Sequence, residues 1–211
     1  MVYPLPHPDM KIKFLIYLVA VFGLLSISQN VHGADSAEQM LSRCAKTINS
    51  TPSISMKFVL SYDNLQIPCD ITVSKNKYHL SSKDMQVWYD GNTQWTYLSG
   101  NQQLSISEPT TDELLESNPF AIVNHYSKAY TCKKAGSDIE LIAKSRRAVI
   151  KKARITINPS TDLPTKVVIT MSNGKELTAS AGTVKKGPQV PSSTFIYSKK
   201  LYPAKEIVDL R

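Results

Sequence analysis

The hydrophobic positions of the chain first repeat with the period of a helix and then with the period of a strand. In "SAEQMLSRCAKTI", six apolar residues fall on one face at helical spacing, which predicts an amphipathic helix with Ser36 as its N-cap. From Ser53 onward apolar residues alternate with their neighbours, as in "SISMKFVLSY" and "IPCDITVS". Such alternation is typical of antiparallel strands that are buried on one face only.

Further short alternating segments follow, and turn signals separate them. Asp90-Gly91 stands between two of them, and this pair favours a type I′ hairpin turn because the turn needs positive φ angles. Together with the first two strands, these segments predict eleven or twelve strands in all. The additional predicted strands are 78–81, 85–89, 93–98, 103–107, 129–133, 139–143, 148–157, 165–171, 175–181 and 194–198.

One stretch in the middle of the chain, "EPTTDELLESNPFAIVNHY", returns to the helical pattern. Thr110 and Glu113 fit a capping box at the start of one short helix. Asn118 and Pro119 are typical of the start of a second, with Asn as the N-cap and Pro in the first helical position. Short strands with tight turns around this helical break predict a mainly β protein, either a sandwich or a barrel, in one domain. The apolar residues of the break are Leu114, Leu115, Phe120, Ile122 and Val123.

The N-terminal segment is predicted to be a secretory signal peptide. Lys11 and Lys13 precede an apolar run over residues 14–27, and small or compact residues at positions 31 and 33 favour cleavage after Gly33. The apolar run is short for a membrane span, which needs roughly 20 residues. Residues 1–9 form a stub upstream of a better start at Met10. We therefore expect residues 1–33 to be removed and residues 34–211 to be secreted as a single domain.

Charge and cysteine content narrow the classes of partner and site. The net charge of +8 favours anionic partners such as membrane headgroups or acidic proteins. Nucleic acid is not expected, because a secreted chain rarely meets it. The chain has three cysteines, Cys44, Cys69 and Cys132, which allow at most one internal disulfide. Cys44 and Cys69 fall on apolar faces, so buried thiols are favoured, although the pairing stays open.

The residue types that catalysis or metal binding needs do not occur in recognisable patterns. After residue 33 the chain has two histidines, His79 and His125, and neither has a second metal ligand at a known spacing. Nucleophile elbows and phosphate-binding glycine loops are missing from the sequence. Acidic residues cluster near Glu113, where they complement the dipole of a helix start. We expect a protein that is not an enzyme and that has no catalytic residue, metal or cofactor.

The stretch "WYDGNTQWTY" places aromatic residues on both strands of one predicted hairpin. Trp95 and Tyr97 lie on the same side of their strand and can neighbour the strand before it. Such residues either belong to an ordinary core wall or line a concave apolar cavity with a helical lid. The pattern by itself leaves both interpretations open.

Three stretches together resemble one known family. "VWYDGNTQWTYLSGNQQLSISEP", "ESNPFAIV" and the closing "LYPAKEIVDLR" are similar to the periplasmic outer-membrane lipoprotein carriers of the LolA type, and in particular to a divergent LolA-like branch. The family's pattern DG-x-T-x-W-x-Y is present here as Asp90, Gly91, Thr93, Trp95 and Tyr97. The resemblance implies an incomplete, strongly curved antiparallel β-barrel of about eleven strands, whose open side is covered by a helical lid.

The resemblance also implies a function and a set of site residues. A periplasmic carrier, expected to be a monomer, would take acylated lipoproteins from an inner-membrane ABC-type release complex to an outer-membrane acceptor that stays unidentified. The lid would comprise the five apolar residues of the helical break. Lys75 stands where the family often has an Arg that holds the lid closed, and is the latch candidate. The residues implied to line the hydrophobic cavity are Met56, Phe58, Leu60, Ile71, Val73, Trp95 and Tyr97.

Three other functions compete with the carrier. Folds of this shape also serve as periplasmic sensor domains of stress regulators, which bind lipid or peptide and report to a membrane partner. A structural β-domain would have a filled interior and use its aromatic residues as core. A lipid-modifying enzyme is disfavoured because the sequence offers no nucleophile and base pair.

Overall fold

The structure, a computed structural model, describes residues 36–211, apart from the side chains at positions 112, 116, 117 and 119. The predicted signal peptide and its cleavage site lie outside the described residues. Within the described part, no helix is both long and apolar enough to cross a membrane. The described chain forms one twelve-stranded sheet and three α-helices.

The sheet is curved and open, with one strand at each edge. Neighbouring strands follow the order β12-β6-β5-β4-β3-β2-β1-β11-β10-β9-β8-β7, so β12 and β7 are the edges. All pairs are antiparallel except β12 with β6. This confirms the predicted incomplete barrel. The strands are β1 Ser53–Tyr62, β2 Leu65–Ser74, β3 Lys77–Ser82, β4 Met85–Tyr89, β5 Gln94–Leu98, β6 Gln103–Ser107, β7 Tyr130–Ala135, β8 Asp138–Ala143, β9 Ile150–Asn158, β10 Leu163–Met171, β11 Glu176–Gly187 and β12 Glu206–Asp209.

The C-terminal region differs from the prediction of a strand over 194–198. A short 3₁₀ turn, Ser192–Phe195, occupies that position and buries the Phe195 side chain. The last strand lies further on, where the "EIVD" stretch pairs in parallel with β6. The alternation of a few residues after Pro191 is too short to separate a strand from a turn that inserts one aromatic side chain.

Two of the three helices begin where the sequence places capping residues, and the third follows a 3₁₀ turn without a side-chain cap. Helix α1, Ala37–Ser50, starts with a reciprocal capping box between Ser36 and Gln39. Helix α2, Thr111–Ser117, starts with the predicted capping box of Thr110 and Glu113. A 3₁₀ turn, Pro119–Ala121, then leads into α3, Ile122–Ala129. Residues 111–129, which comprise α2, the turn and α3, are called the lid below.

The main core lies between the helices and one face of the sheet, which we call the concave face. Met56, Ile71, Leu80 and Val87 stand opposite one another across β1 to β4 and are all buried. Helix α1 contacts α3 and strands β7 and β10, so it closes the other side of this core. Burial of such a continuous apolar row is the main favourable contribution to folding.

A second, smaller core lies on the opposite, convex face. Trp88 alternates with Val87 and Tyr89, which face the main core, so its side chain emerges on the other side of β4. Buried with it are Tyr97 and Leu104. The C-terminal segment covers these residues with Tyr197, Tyr202 and Ala204. The sheet therefore packs on its concave face beneath the helices and, at β4 to β6, also on its convex face.

Candidate functional site

An apolar cavity lies on the concave face, between the lid and the β2–β3 end of the sheet. Its volume is about 50 Å³. Water occupies roughly 10–15 Å³ of such space per molecule, so the closed cavity has room for a few waters and for only a small part of a fatty acyl chain. Its lining residues are Ile48, Ile54, Met56, Val73, Lys75, Asn76, Lys77, Tyr78, Tyr89, Leu114, Asn118, Phe120, Ala121, Asn124, His125, Leu163, Pro164 and Val184.

Two tyrosines line one wall of the cavity and have their hydroxyl groups already bonded. Tyr78 donates to Gln94 Oε1 at 2.7 Å, and Tyr89 donates to the Gly91 carbonyl at 2.9 Å. Their rings pack against each other with centroids 5.5 Å apart. These bonds hold the two rings as a fixed wall.

The β4–β5 turn packs tightly against the β2–β3 turn that carries Lys75 and Asn76. Gly91 has a φ of +106°, and a Cβ at this position would lie 2.7 Å from the Asn76 side-chain nitrogen. Asp90 Oδ1 accepts hydrogen bonds from the Asn92 and Thr93 amides at 3.0 and 2.9 Å. The Asp-Gly pair therefore sets both the turn and the position of the cavity rim.

The rim of the cavity is polar and cationic. Lys75 and Lys77 come from the sheet side, and Asn124 and His125 come from α3. Burial lowers the pKa of His125, so its imidazole is neutral at neutral pH. Among the lining residues that the structure describes there is no Asp or Glu. The rim therefore favours anionic over cationic groups in a ligand.

Most of the predicted cavity and lid residues belong to this region. Met56, Val73, Leu114 and Phe120 line the cavity directly. The other predicted residues that pack in the same core are buried, except Leu60, which is partly buried: Phe58, Leu60, Ile71, Leu115, Ile122 and Val123.

Trp95 and Tyr97 lie elsewhere than the resemblance implied. Trp95 stands opposite Trp88, and both belong to the convex-face core. The side chains of β5 that share the concave face are instead Gln94, Thr96 and Leu98, as the alternation along the strand requires. Trp88, Trp95 and Tyr97 therefore pack with the C-terminal segment, while Tyr89 is the hairpin residue that lines the cavity.

Lys75 lines the cavity mouth with a φ of +56°, and it makes no hydrogen bond or ion pair with any residue between 36 and 211 that the structure describes. A bond between helices is made by Asn49, which donates to Asn124 Oδ1 at 3.3 Å and so ties α1 to α3. The latch role of Lys75 stays a prediction.

The cavity also contains a residue whose role the sequence did not reveal. Asn118 was predicted as a side-chain helix cap, but its carbonyl starts the 3₁₀ turn by accepting from the Ala121 amide at 2.9 Å. Its side chain is 4% exposed, and its Oδ1 has no hydrogen-bond partner. The buried amide therefore faces an apolar cavity with its oxygen unpaired.

Thiols and acidic groups form no metal cluster in the described part of the chain. All three cysteines are free, and burial raises the pKa of Cys44 to about 12. No group of three or more His, Cys, Asp or Glu side chains within residues 36–211 is arranged to hold a metal ion. The raised pKa values mean that the three cysteines supply no reactive thiolate at neutral pH.

Comparison with known families matches residues 27–175 to the family described as outer membrane lipoprotein carrier protein LolA. No curated protein matches the chain.

Solved structures give similarities of low sequence identity. An uncharacterized conserved protein from Thermus thermophilus aligns over 82% of this chain and 98% of its own, with 13% identity and a TM-score of 0.53. A putative outer membrane lipoprotein-sorting protein domain from Vibrio parahaemolyticus aligns over 79% and 97%, with 10% identity and a TM-score of 0.44. The MucA/MucB complex of Pseudomonas aeruginosa aligns over 78% and 62%, with 13% identity and a TM-score of 0.43. The first similarity supports the fold.

Proposed function

The chain belongs to the LolA family of outer membrane lipoprotein carrier proteins, and from that premise we propose that it is a periplasmic chaperone for lipoproteins. It would bind the acyl chains of a lipoprotein on the concave face, beneath the lid. It would receive them from an inner-membrane ABC-type release complex, cross the periplasm as a monomer, and deliver them to the outer membrane. The signal peptide ending at Gly33 would direct its export.

The single observation that carries this proposal is the apolar cavity between a fixed barrel wall and a lid of short helices. Burial of one CH₂ group is favourable by about 0.8 kcal/mol, so exposure of an acyl chain of typical length to water costs on the order of ten kcal/mol. A carrier must shield that surface and still release it. An open barrel with an exchangeable cover meets both needs.

The lid is suited to exchange because its helices are too short to be stable alone. Helices α2 and α3 have 7 and 8 residues, and isolated helices shorter than about 12 residues are marginal in water. Their underside is apolar and buried through Leu114, Leu115, Phe120, Ile122 and Val123. In the closed protein this underside makes apolar contacts with the barrel wall. An acyl chain that displaces the lid makes apolar contacts with the same wall.

Ligand entry therefore requires displacement of the lid. A cavity of about 50 Å³ holds a few methylene groups, so the remainder of a chain has to occupy space that the lid underside fills when closed. Each lid residue that leaves the wall loses apolar burial, and each methylene that enters restores it. Binding and release are then nearly balanced, as a carrier needs.

The test is purification of the exported protein followed by native mass spectrometry. Co-purified intact lipoproteins or acyl species are expected, and an N-terminus at Ala34 is expected if cleavage follows Gly33. A protein with no acyl species that also fails to bind a fatty acyl probe would contradict the carrier function. Stable capture of one periplasmic protein without any acyl chain would favour the sensor function instead.

A further inference from the structure

Asn118 presents an unused polar group inside an apolar cavity. Its backbone is fully occupied, because its amide donates to the Leu114 carbonyl at 2.8 Å and its carbonyl accepts from Ala121. The side chain contributes nothing to those bonds, yet it is 4% exposed and its Oδ1 is unpaired. A buried acceptor without a partner is unfavourable, so the position destabilises the closed protein.

Other polar groups of the cavity wall do not relieve this. The hydroxyls of Tyr78 and Tyr89 already donate to Gln94 and Gly91. Asn124 lies at the exposed rim, where it accepts from Asn49. The Asn118 amide is therefore available to a ligand that enters the apolar part of the cavity.

The chemistry of a primary amide selects a particular group. An Asn side chain offers one carbonyl oxygen and one NH₂, and the amide can rotate to present either. A secondary amide in a ligand has an N–H that can donate to the unpaired Asn118 Oδ1, while its trans geometry turns its own carbonyl to the opposite side. An ester offers an acceptor and no donor, which would leave Oδ1 unpaired.

We propose that Asn118 recognises the amide linkage of an N-acyl chain and so favours amide-linked over ester-linked fatty acyl groups. This inference rests on the proposed function and specifies the ligand of the same cavity. The acyl chain would occupy the apolar wall at Met56 and Phe120, with its amide against Asn118. Amide-linked chains occur on N-acylated cysteine and on acylated amino sugars, and the test separates these two sources.

The test compares N-methyldodecanamide with methyl dodecanoate, which differ by N–H in place of O. Each competes with the neutral fluorophore N-phenyl-1-naphthylamine for the full-length mature protein. The one hydrogen bond that the amide N–H adds at Asn118 Oδ1 gives about a tenfold preference for the amide. Asn118→Leu should lose that preference, because the side chain then has no oxygen to accept from the amide N–H. Equal affinities in the wild-type protein, or an unchanged preference in Asn118→Leu, would overturn the proposal.

Controls separate this inference from the proposed function. Asn64→Leu changes an exposed Asn in the β1–β2 turn and should keep the tenfold preference. Asn118→Ala serves as a second variant that adds no bulk, and it should also lose the preference. Wild-type protein that binds neither compound would contradict the carrier function itself. Binding of both compounds without preference would contradict the role of Asn118 alone.

The source of the amide is resolved with two larger probes, a triacylated cysteinyl peptide and an N-acyl glucosamine lipid. Stronger competition by the peptide, reduced in Asn118→Leu, is expected for a lipoprotein ligand. Competition by the glucosamine lipid alone would keep the amide recognition and overturn the lipoprotein as its source.

Discussion

The ring of Phe120 meets the ring of Phe58 edge to face, with the ring centroids 5.4 Å apart and the ring planes at 89°. Phe58 belongs to β1 and Phe120 to the 3₁₀ turn of the lid, and both are buried. Aromatic pairs in this geometry attract each other beyond the effect of buried area. The pair therefore joins the lid to the barrel wall at the place where an acyl chain would have to enter.

Truncation of this pair should weaken lid closure. Phe120→Ala is expected to lower the free energy of unfolding by about 3 kcal/mol, since it removes a buried aromatic ring. In a double-mutant cycle with Phe58→Ala, we expect a coupling of about 1 kcal/mol, measured by chemical denaturation. A coupling near zero would mean that the two rings are held independently of each other.

A charge at the same position should separate binding from folding. Phe120→Glu is expected to abolish binding of a fatty acyl probe while the protein stays folded, because a carboxylate disfavours the apolar underside of the lid. Circular dichroism reports the fold and probe fluorescence reports the binding. Leu65→Glu is the matched control, because Leu65 is 62% exposed and should tolerate the same charge in both measurements.

Much of the fold follows from local sequence patterns. The capping boxes at Ser36 and Thr110 and the alternation in β1 and β2 are signals that neighbours along the chain carry by themselves, so the predicted elements match. The turn at Asp90-Gly91 is predictable for the same reason, since positive φ at Gly91 is a local requirement.

The features that were mispredicted depend on distant parts of the chain. Alternation shows that Trp95 and Tyr97 share a face, but it does not show which face is concave. That choice is fixed by Tyr197 and Tyr202, which arrive about a hundred positions later and cover the convex side. Asn118 likewise has the sequence signature of a cap, and its burial against the cavity exists only once β1 and the lid have packed.

Replacement of Asn118 should stabilise the closed protein. Asn118→Leu removes a buried oxygen that has no partner, and its backbone bonds to Leu114 and Ala121 are retained. We expect the free energy of unfolding to rise by about 1–2 kcal/mol, measured by urea denaturation in the absence of ligand. A lower free energy of unfolding in Asn118→Leu would show that the Asn118 amide stabilises the fold and is not an unpaired group available to a ligand.

Acid should weaken the protein through one buried carboxylate. Glu140 on β8 is 6% exposed and lies against Lys133 at 2.9 Å, Lys152 and Arg154. Hydrogen bonds from Lys152 and Lys133 lower the pKa of its carboxyl to about 2 from an ordinary value of 4.5. The folded state binds the Glu140 proton less tightly than the unfolded state does. The stabilisation that ionised Glu140 gives the folded protein is therefore complete above about pH 5 and is lost progressively as the pH falls towards 2.

The measurement is the free energy of unfolding between pH 7 and pH 2. Glu140→Gln should be less stable than the wild-type protein at pH 7 and should show a flatter curve below pH 5. Asp70→Asn is the control, since it removes an exposed ion pair with Lys57 and should change stability by less than about 1 kcal/mol. Parallel curves for wild-type protein and Glu140→Gln would show that Glu140 contributes nothing to the acid sensitivity.

The convex-face core should contribute to stability without contributing to ligand binding. The Tyr202 ring packs edge to face on Trp88 and Tyr97, with centroids 4.9 and 5.6 Å away, and its carbonyl accepts from the Tyr197 hydroxyl at 2.6 Å. Tyr202→Ala removes both ring contacts on a half-buried side chain. We expect the free energy of unfolding to fall by about 2 kcal/mol, with unfolding monitored by tryptophan fluorescence.

Affinity for an acyl probe decides which face of the hairpin serves the cavity. Tyr202→Ala should bind N-phenyl-1-naphthylamine as tightly as the wild-type protein, because its contacts lie across the sheet from the cavity. Tyr89 follows Trp88 in β4, and its ring forms part of the cavity wall. Tyr89→Ala removes that ring and should bind N-phenyl-1-naphthylamine more weakly. If Tyr202→Ala lost probe binding and kept its stability, the convex face would have to be part of the ligand site. The sheet would then use both faces for the ligand, and closure of the lid alone could not control release.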